Sequence, residues 1–177
     1  MKYKSVCSVM LVLAIANSTR ADLGLGLKNS LHTANVEDLF KAVYEGDVLA
    51  AGNQRFDAFF RKNNSQSLKD YAFLSVTWKV TRRGKSEDVK RSSPEIKLLQ
   101  YLAKLGANPN ASGGFSKAAP LLIASELGTP KSLDLIGVLL ELGADPNQKD
   151  AFGKSPIAVT RSKEAKAIIQ AALDARK

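Results

Sequence analysis

The sequence predicts an all-α fold built from repeated helix pairs, and three observations predict it. Leu105-Gly106-Ala107-Asn108-Pro109-Asn110 recurs as Leu142-Gly143-Ala144-Asp145-Pro146-Asn147, with Gly106 and Gly143 37 residues apart. A fixed period of that size marks a repeat architecture. Each copy follows an apolar run, Leu98 to Ala103 in one and Leu135 to Leu140 in the other. Each copy is also a chemical helix stop. Glycine enters the left-handed region without a Cβ penalty, and Asn/Asp-Pro-Asn turns the chain away.

Taken in order, the chain opens on Lys2 and Lys4, then an apolar run of 11 residues from Val6 to Ala16, then Asn17-Ser18-Thr19-Arg20-Ala21. Eleven helical residues cannot cross a hydrocarbon layer of about 30 Å. Residues 1–21 therefore read as a secretory signal that is cleaved, so no membrane span is expected after cleavage. The rival reading is an N-terminal anchor or a buried helix. Two cuts fit, after Ala16 and after Ala21; the polar stretch that follows Asn17 favours Ala21. That cut removes three of the 26 basic residues and none of the 17 acidic ones, leaving a formal +6. It also removes Cys7, the one cysteine, and with it disulfides, thiolate catalysis and cysteine metal sites.

Residues 22–34 form a glycine-rich lead-in, and regular structure is expected over 35–177. Asn35 with Glu37 and Asp38 starts a first helix that Gly46-Asp47 ends. A second runs from about Val48 to Lys62. Ser67 to Val80 reads as helix, although its β-branched and aromatic residues make a strand the competitor. Thr81 to Ser92 reads as a projecting basic loop. Ser93-Pro94-Glu95 offers a hydroxyl cap, a proline at the first position and an early carboxylate for the next helix. A third pair follows, with Ala119–Ser125 starting a helix that ends at Gly128 and Thr129-Pro130 starting its partner. A last helix runs from Lys163 to about Ala175, and Gly113-Gly114 shapes a turn.

These residues resemble ankyrin repeats. Gly153-Lys154-Ser155-Pro156-Ile157-Ala158-Val159 is similar to that family's Gly-x-Thr-Pro-Leu-His-x-Ala, and Ala119-Pro120-Leu121-Leu122-Ile123-Ala124 follows it with Ala for Thr. Leu139-Leu140-Glu141-Leu142-Gly143-Ala144-Asp145-Pro146-Asn147 matches the family's outer helix and stop. The resemblance implies a helical solenoid of about four repeats over roughly 35–177. The motif histidine is replaced by Leu122 and Ala158, which implies less rigid turns. The distance from the glycine ending each inner helix to the middle of the outer one is long: 12 residues from Gly46 to Ala58, 17 from Gly84 to Tyr101 and 10 from Gly128 to Val138. The junctions are thus elongated, either as loops on one edge or as longer helices.

No catalytic set emerges. His32 is the sole histidine and stands alone in the lead-in. Glu37-Asp38 and Glu87-Asp88 are adjacent acids that diverge on a helix. No cofactor or metal site is expected, and the reading is non-enzymatic. The formal charge is +9, but no basic run is longer than Arg82-Arg83 and aromatics make up 7%. That argues against nucleic acid as the partner. An acidic protein surface fits the charge instead. Candidate binding residues are Tyr71 and Trp78, seven apart on one helix and readable also as core, with Arg82, Arg83, Lys85, Lys90 and Arg91. The signal and absent cysteine suggest the periplasm of a Gram-negative bacterium, or secretion. The resemblance implies a protein-binding module there, such as an immunity protein that blocks a toxin of the type VI phospholipase kind. Its alternatives are an accessory protein for a periplasmic enzyme such as an antioxidant one, and an exported effector acting on host proteins.

Overall fold

A computed structural model describes Phe60 and residues 64–83, 89–127 and 132–176. The expected signal, the lead-in with His32, the first helix pair apart from Phe60, Gly84–Asp88 and the expected stop and start at Gly128 and Thr129-Pro130 lie outside the described residues. Among those described, the fold is all-α. Six helices follow one another: α1 Gln66–Arg83, α2 Pro94–Lys104, α3 Pro120–Glu126, α4 Leu133–Glu141, α5 Pro156–Val159 and α6 Lys163–Asp174. Consecutive helices pack in pairs, α1 on α2, α3 on α4 and α5 on α6. The pairs stack so that α1, α3 and α5 make one layer and α2, α4 and α6 the other.

Helix α1 settles the competition between helix and strand. Its buried positions, Leu68, Ala72, Phe73, Val76 and Val80, recur at helical spacing. Its β-branched threonines are accommodated by returning their hydroxyls to the preceding turn. Thr77 Oγ1 donates to the Phe73 carbonyl at 2.9 Å, and Thr81 Oγ1 to the Thr77 carbonyl at 2.7 Å. Both hydroxyls are thereby satisfied inside the core, which removes the main cost of burying them.

Helix α2 starts at Pro94 as expected, but Ser93 is not its hydroxyl cap. No side-chain capping bond forms there. The Ser93 hydroxyl instead accepts from the Lys90 backbone N–H at 3.1 Å, while Ser93 N–H donates to the Lys90 carbonyl at 2.8 Å. The hydroxyl closes the turn before the helix, a competing local bond open to any serine at this place. Ser162 does cap α6. Its Oγ accepts from Ala165 N–H and donates to the Glu164 carboxylate at 2.6 Å.

The core runs between the two layers. Phe73, Ile96, Leu99, Leu102, Leu121, Leu135, Ile136, Leu139 and Ile169 are fully buried in one continuous cluster. A smaller cluster of Leu74, Ala118, Leu122 and Ile123 sits beneath the 111–118 turn. Gly113 belongs to that contact. A Cβ there would stand 3.2 Å from Leu74 Cδ1.

The two repeated stops have the same geometry. Gly106 and Gly143 have φ of +90° and +93°. Gly106 N–H donates to the Ala103 carbonyl and Ala107 N–H to the Leu102 carbonyl. Gly143 to Leu140 and Ala144 to Leu139 repeat the pattern. This is the paired Schellman bonding that satisfies the last carbonyls of a helix. After each stop, the Asn108 or Asp145 side chain accepts from the N–H two residues on, at 2.9 Å in both cases.

The stops are also clipped to one another. Asn110 Nδ2 donates to the Gly143 carbonyl at 3.0 Å, and Asn110 Oδ1 accepts from Asp145 N–H at 2.6 Å. One period earlier, Gln66 and Asp70 of α1 do the same work. Gln66 Nε2 donates to the Gly106 carbonyl, and Asp70 Oδ1 accepts from Asn108 N–H, both at 2.7 Å. On the far side, Arg176 donates to the Ala144 carbonyl at 3.0 Å and lies 3.3 Å from Asp145 Oδ1.

Candidate protein-binding surface

Two groups of side chains face outward from this scaffold. The first lies on α1. Burying Phe73, Val76, Thr77 and Val80 against the core turns the opposite face of the helix out. Trp78 is on that face and is 42% exposed, so it is not a core residue. Tyr71, two turns earlier, is half-buried and engaged with a neighbour. The two expected aromatics therefore share one helix but differ in availability, and Trp78 is the one presented.

The basic segment divides into parts. Thr81 is helical and 6% exposed, and Val89 is 8% exposed. The expected projecting loop from Thr81 to Ser92 is thus corrected at both ends. Its first residues continue α1, and Val89 reaches the core because it is apolar enough to be pulled in. The backbones of Arg82 and Arg83 close α1, and their side chains lie outside the described atoms. Lys85 lies outside the described residues altogether. Lys90 is exposed.

Arg91 has a structural task that its sequence context does not show. Its guanidinium makes a bidentate pair with Glu141, Nη2 to Oε1 at 2.7 Å and Nη1 to Oε2 at 2.9 Å. Its backbone N–H donates to Asp134 Oδ2 at 3.0 Å. The segment before α2 is thereby strapped to both ends of α4. The guanidinium crosses the helix over Gly137, where a Cβ would stand 3.1 Å from Nη2. The Arg91 hydrogen bonds hold the Glu141 carboxyl below its ordinary range, and the same pairing raises the guanidinium further. Both side chains remain about half exposed, so the pair is screened and modest in worth.

The second group consists of two residues absent from the candidates drawn from sequence. Phe115 and Phe152 are 77% and 61% exposed. They occupy the turns that join α2 to α3 and α4 to α5. Ala151 N–H donates to the Ser116 carbonyl at 2.7 Å, which holds the two turns side by side. The rings lie 6.0 Å apart and are tilted by 52°. A signal for them was present. Phe115 and Phe152, and Lys117 and Lys154, repeat with the same spacing as the glycine stops. Recurrence of an aromatic in a polar turn is a demand of the surface, not of the core.

Among the described residues, no group of three His, Cys, Asp or Glu could hold a metal ion. A shallow, open groove between α2 and α4 is lined by Gln100, Ala103, Lys104, Glu141 and Leu142. No helix among the described residues is long and apolar enough to cross a membrane. No protein-family model matches the chain, and no curated protein matches it.

Proposed function

We propose that this chain is an exported ankyrin-type repeat protein that works by binding another protein and has no enzymatic activity of its own. The observation that carries the reading is the row of identical stops. The Gly106 and Gly143 turns share one bonding pattern and are clipped together through Asn110. A row of that kind holds successive helix pairs in fixed register. Its use is to present side chains along one side at set spacing, as stacked repeats do. Trp78 on the α1 face is the large aromatic offered there, and such residues dominate binding energy at interfaces. The surplus of basic residues, Lys90 among them, speeds encounter with an acidic partner more than it strengthens the complex.

The partner we propose is a toxin, which the chain blocks by occluding its active site as an immunity protein does. The resemblance to small exported ankyrin proteins supports this role, together with the signal-like first 21 residues. The test is capture with the tagged full chain, followed by challenge of a deletion strain. Wild-type chain should retain one dominant protein, and Trp78→Ala should weaken that complex roughly tenfold or more, as truncating an anchor residue does. The strain lacking the chain should be killed by neighbours that deliver the toxin. If capture yields a host or resident enzyme and the deletion strain survives challenge, immunity is refuted. If Trp78→Ala retains every partner unchanged, the α1 face is not the binding surface.

A further inference from the structure

Phe115 and Phe152 have no hydroxyl or N–H to offer a partner, so what they gain on binding is removal from water. Three features of the turns around them point to the kind of environment that receives them. First, the rings stand together at the tips of adjacent turns, a convex apolar knob and not a groove. Second, the knob is ringed by cations. Lys117 and Lys154 each follow a ring by two residues, Lys149 precedes Phe152 by three, and all three are exposed. Asp150, the one acid between Gln148 and Ser155, is taken up by its own turn, its Oδ1 accepting from Phe152 N–H at 2.9 Å and Lys154 N–H at 2.8 Å. Third, the Phe152 turn brings few bare donors. Ala151, Phe152, Gly153 and Lys154 all have their N–H groups paired, within the turn or to Ser116, and Lys117 N–H donates to the Gly114 carbonyl.

We infer that these two turns form a peripheral anchor for an anionic phospholipid surface. The two rings enter the boundary between headgroups and acyl chains, and Lys117, Lys149 and Lys154 meet the lipid phosphates. A fluid bilayer accepts a convex knob without a matching cavity. It also admits the Phe152 turn, whose N–H groups are already paired, because unpaired donors are what hydrocarbon excludes. Binding of this kind grows with buried apolar area and with attraction to anionic lipid, and each lysine near the surface adds to it. The inference does not depend on the chain having a protein partner.

The test uses the full chain with vesicles of phosphatidylglycerol and phosphatidylethanolamine, and vesicles of phosphatidylcholine alone. The chain has one tryptophan, so Phe115→Trp in a Trp78→Phe background places the fluorophore at the tip alone. With the anionic vesicles its emission should shift to the blue and be quenched by lipids brominated near the carbonyls. With phosphatidylcholine it should stay unchanged. This readout reports the tip whatever else in the chain touches the vesicle. In the otherwise native chain, Phe115→Ala with Phe152→Ala should weaken sedimentation with anionic vesicles roughly tenfold, as should Lys117→Glu with Lys154→Glu. Both pairs are exposed, so the thermal midpoint should hold. An unshifted, unquenched tip tryptophan on anionic vesicles overturns the proposal. So does a double alanine variant that loses a captured protein while still sedimenting with anionic vesicles, which would make the tips a protein contact.

Discussion

Replacing Asn110 by alanine tests the joint between repeats. The side chain makes two bonds to the next turn, donating to the Gly143 carbonyl at 3.0 Å and accepting from Asp145 N–H at 2.6 Å. A hydrogen bond of this type contributes about 1 kcal/mol net, and a partner left unpaired in a buried place costs up to about 3. The Asp145 bond is part-buried and the Gly143 bond exposed, so water re-pairs some of what is released. The loss should therefore be about 2 kcal/mol. Gln148 Nε2 bonds the Asn110 carbonyl, which the substitution leaves in place. The measurement is urea unfolding followed by circular dichroism, analysed by linear extrapolation. At a slope of about 2 kcal/mol per molar urea, the midpoint should fall by about 1 M with the slope unchanged. Asn110→Asp keeps the acceptor for Asp145 but sets a carboxylate against the Gly143 carbonyl, so it should fare no better than half the alanine loss. Arg176 holds the same turn from its far side. Its alanine variant should therefore couple with Asn110→Ala by about 0.5 kcal/mol or more instead of adding simply. A loss below about 0.5 kcal/mol for Asn110→Ala would refute the clip as a source of stability.

Three other outcomes follow from the same structure. Gly143→Ala should cost about 1–2 kcal/mol, since φ is +93° while a new Cβ meets nothing closer than Pro109 Cγ at 3.9 Å; Gly143→Asn should cost less, and urea midpoints compare them. Leu139→Ala, at a site with no exposure, should cost about 2–5 kcal/mol by the same assay. Glu141 is held below its ordinary carboxyl range by Arg91, so its contribution is whole above the unfolded value near 4.5 and fades as pH falls through the lower folded value. Glu141→Gln should flatten that part of the acid limb of a melting-temperature profile, by a small amount that shrinks further in salt. An acid limb identical in the two proteins would dismiss the strap as a pH-dependent element.

Much of this fold is legible in the sequence because its rules are local. Glycine before Asn/Asp-Pro-Asn specifies a helix stop within six residues, and the stops at Gly106 and Gly143 form as that chemistry requires. Helix α1 is harder, since β-branching speaks for a strand. Its burial pattern has helical spacing, and Thr77 and Thr81 are accommodated by returning their hydroxyls to carbonyls four residues back. Ser93 misleads for the opposite reason, because one hydroxyl can close the turn before a helix or cap the helix itself. The surface is least legible. The partners of Arg91 stand 43 and 50 residues away, and nothing near it in the chain announces them. Asn110 reads as a turn former and turns out to join two turns. Phe115 and Phe152 stand in polar turns, and the signal they offer is their recurrence two residues before a lysine.

The clip has a direction, and direction has consequences for how such a chain grows. Gln66 and Asp70 grip the turn that follows them, and Asn110 at the end of that turn grips the next. Each period thus carries a tongue at its exit and a groove at its entrance. A tandem duplication of one 37-residue period brings both halves of the joint with it. Lengthening needs no new contact to be invented, whereas reversing or shuffling a unit breaks the fit. Arg176 covers the exit side of the second stop, opposite the groove that Asn110 fills. Removing it would leave that exit bare for the entrance groove of a second molecule, so a stack held together within one chain would become a template for joining chains end to end.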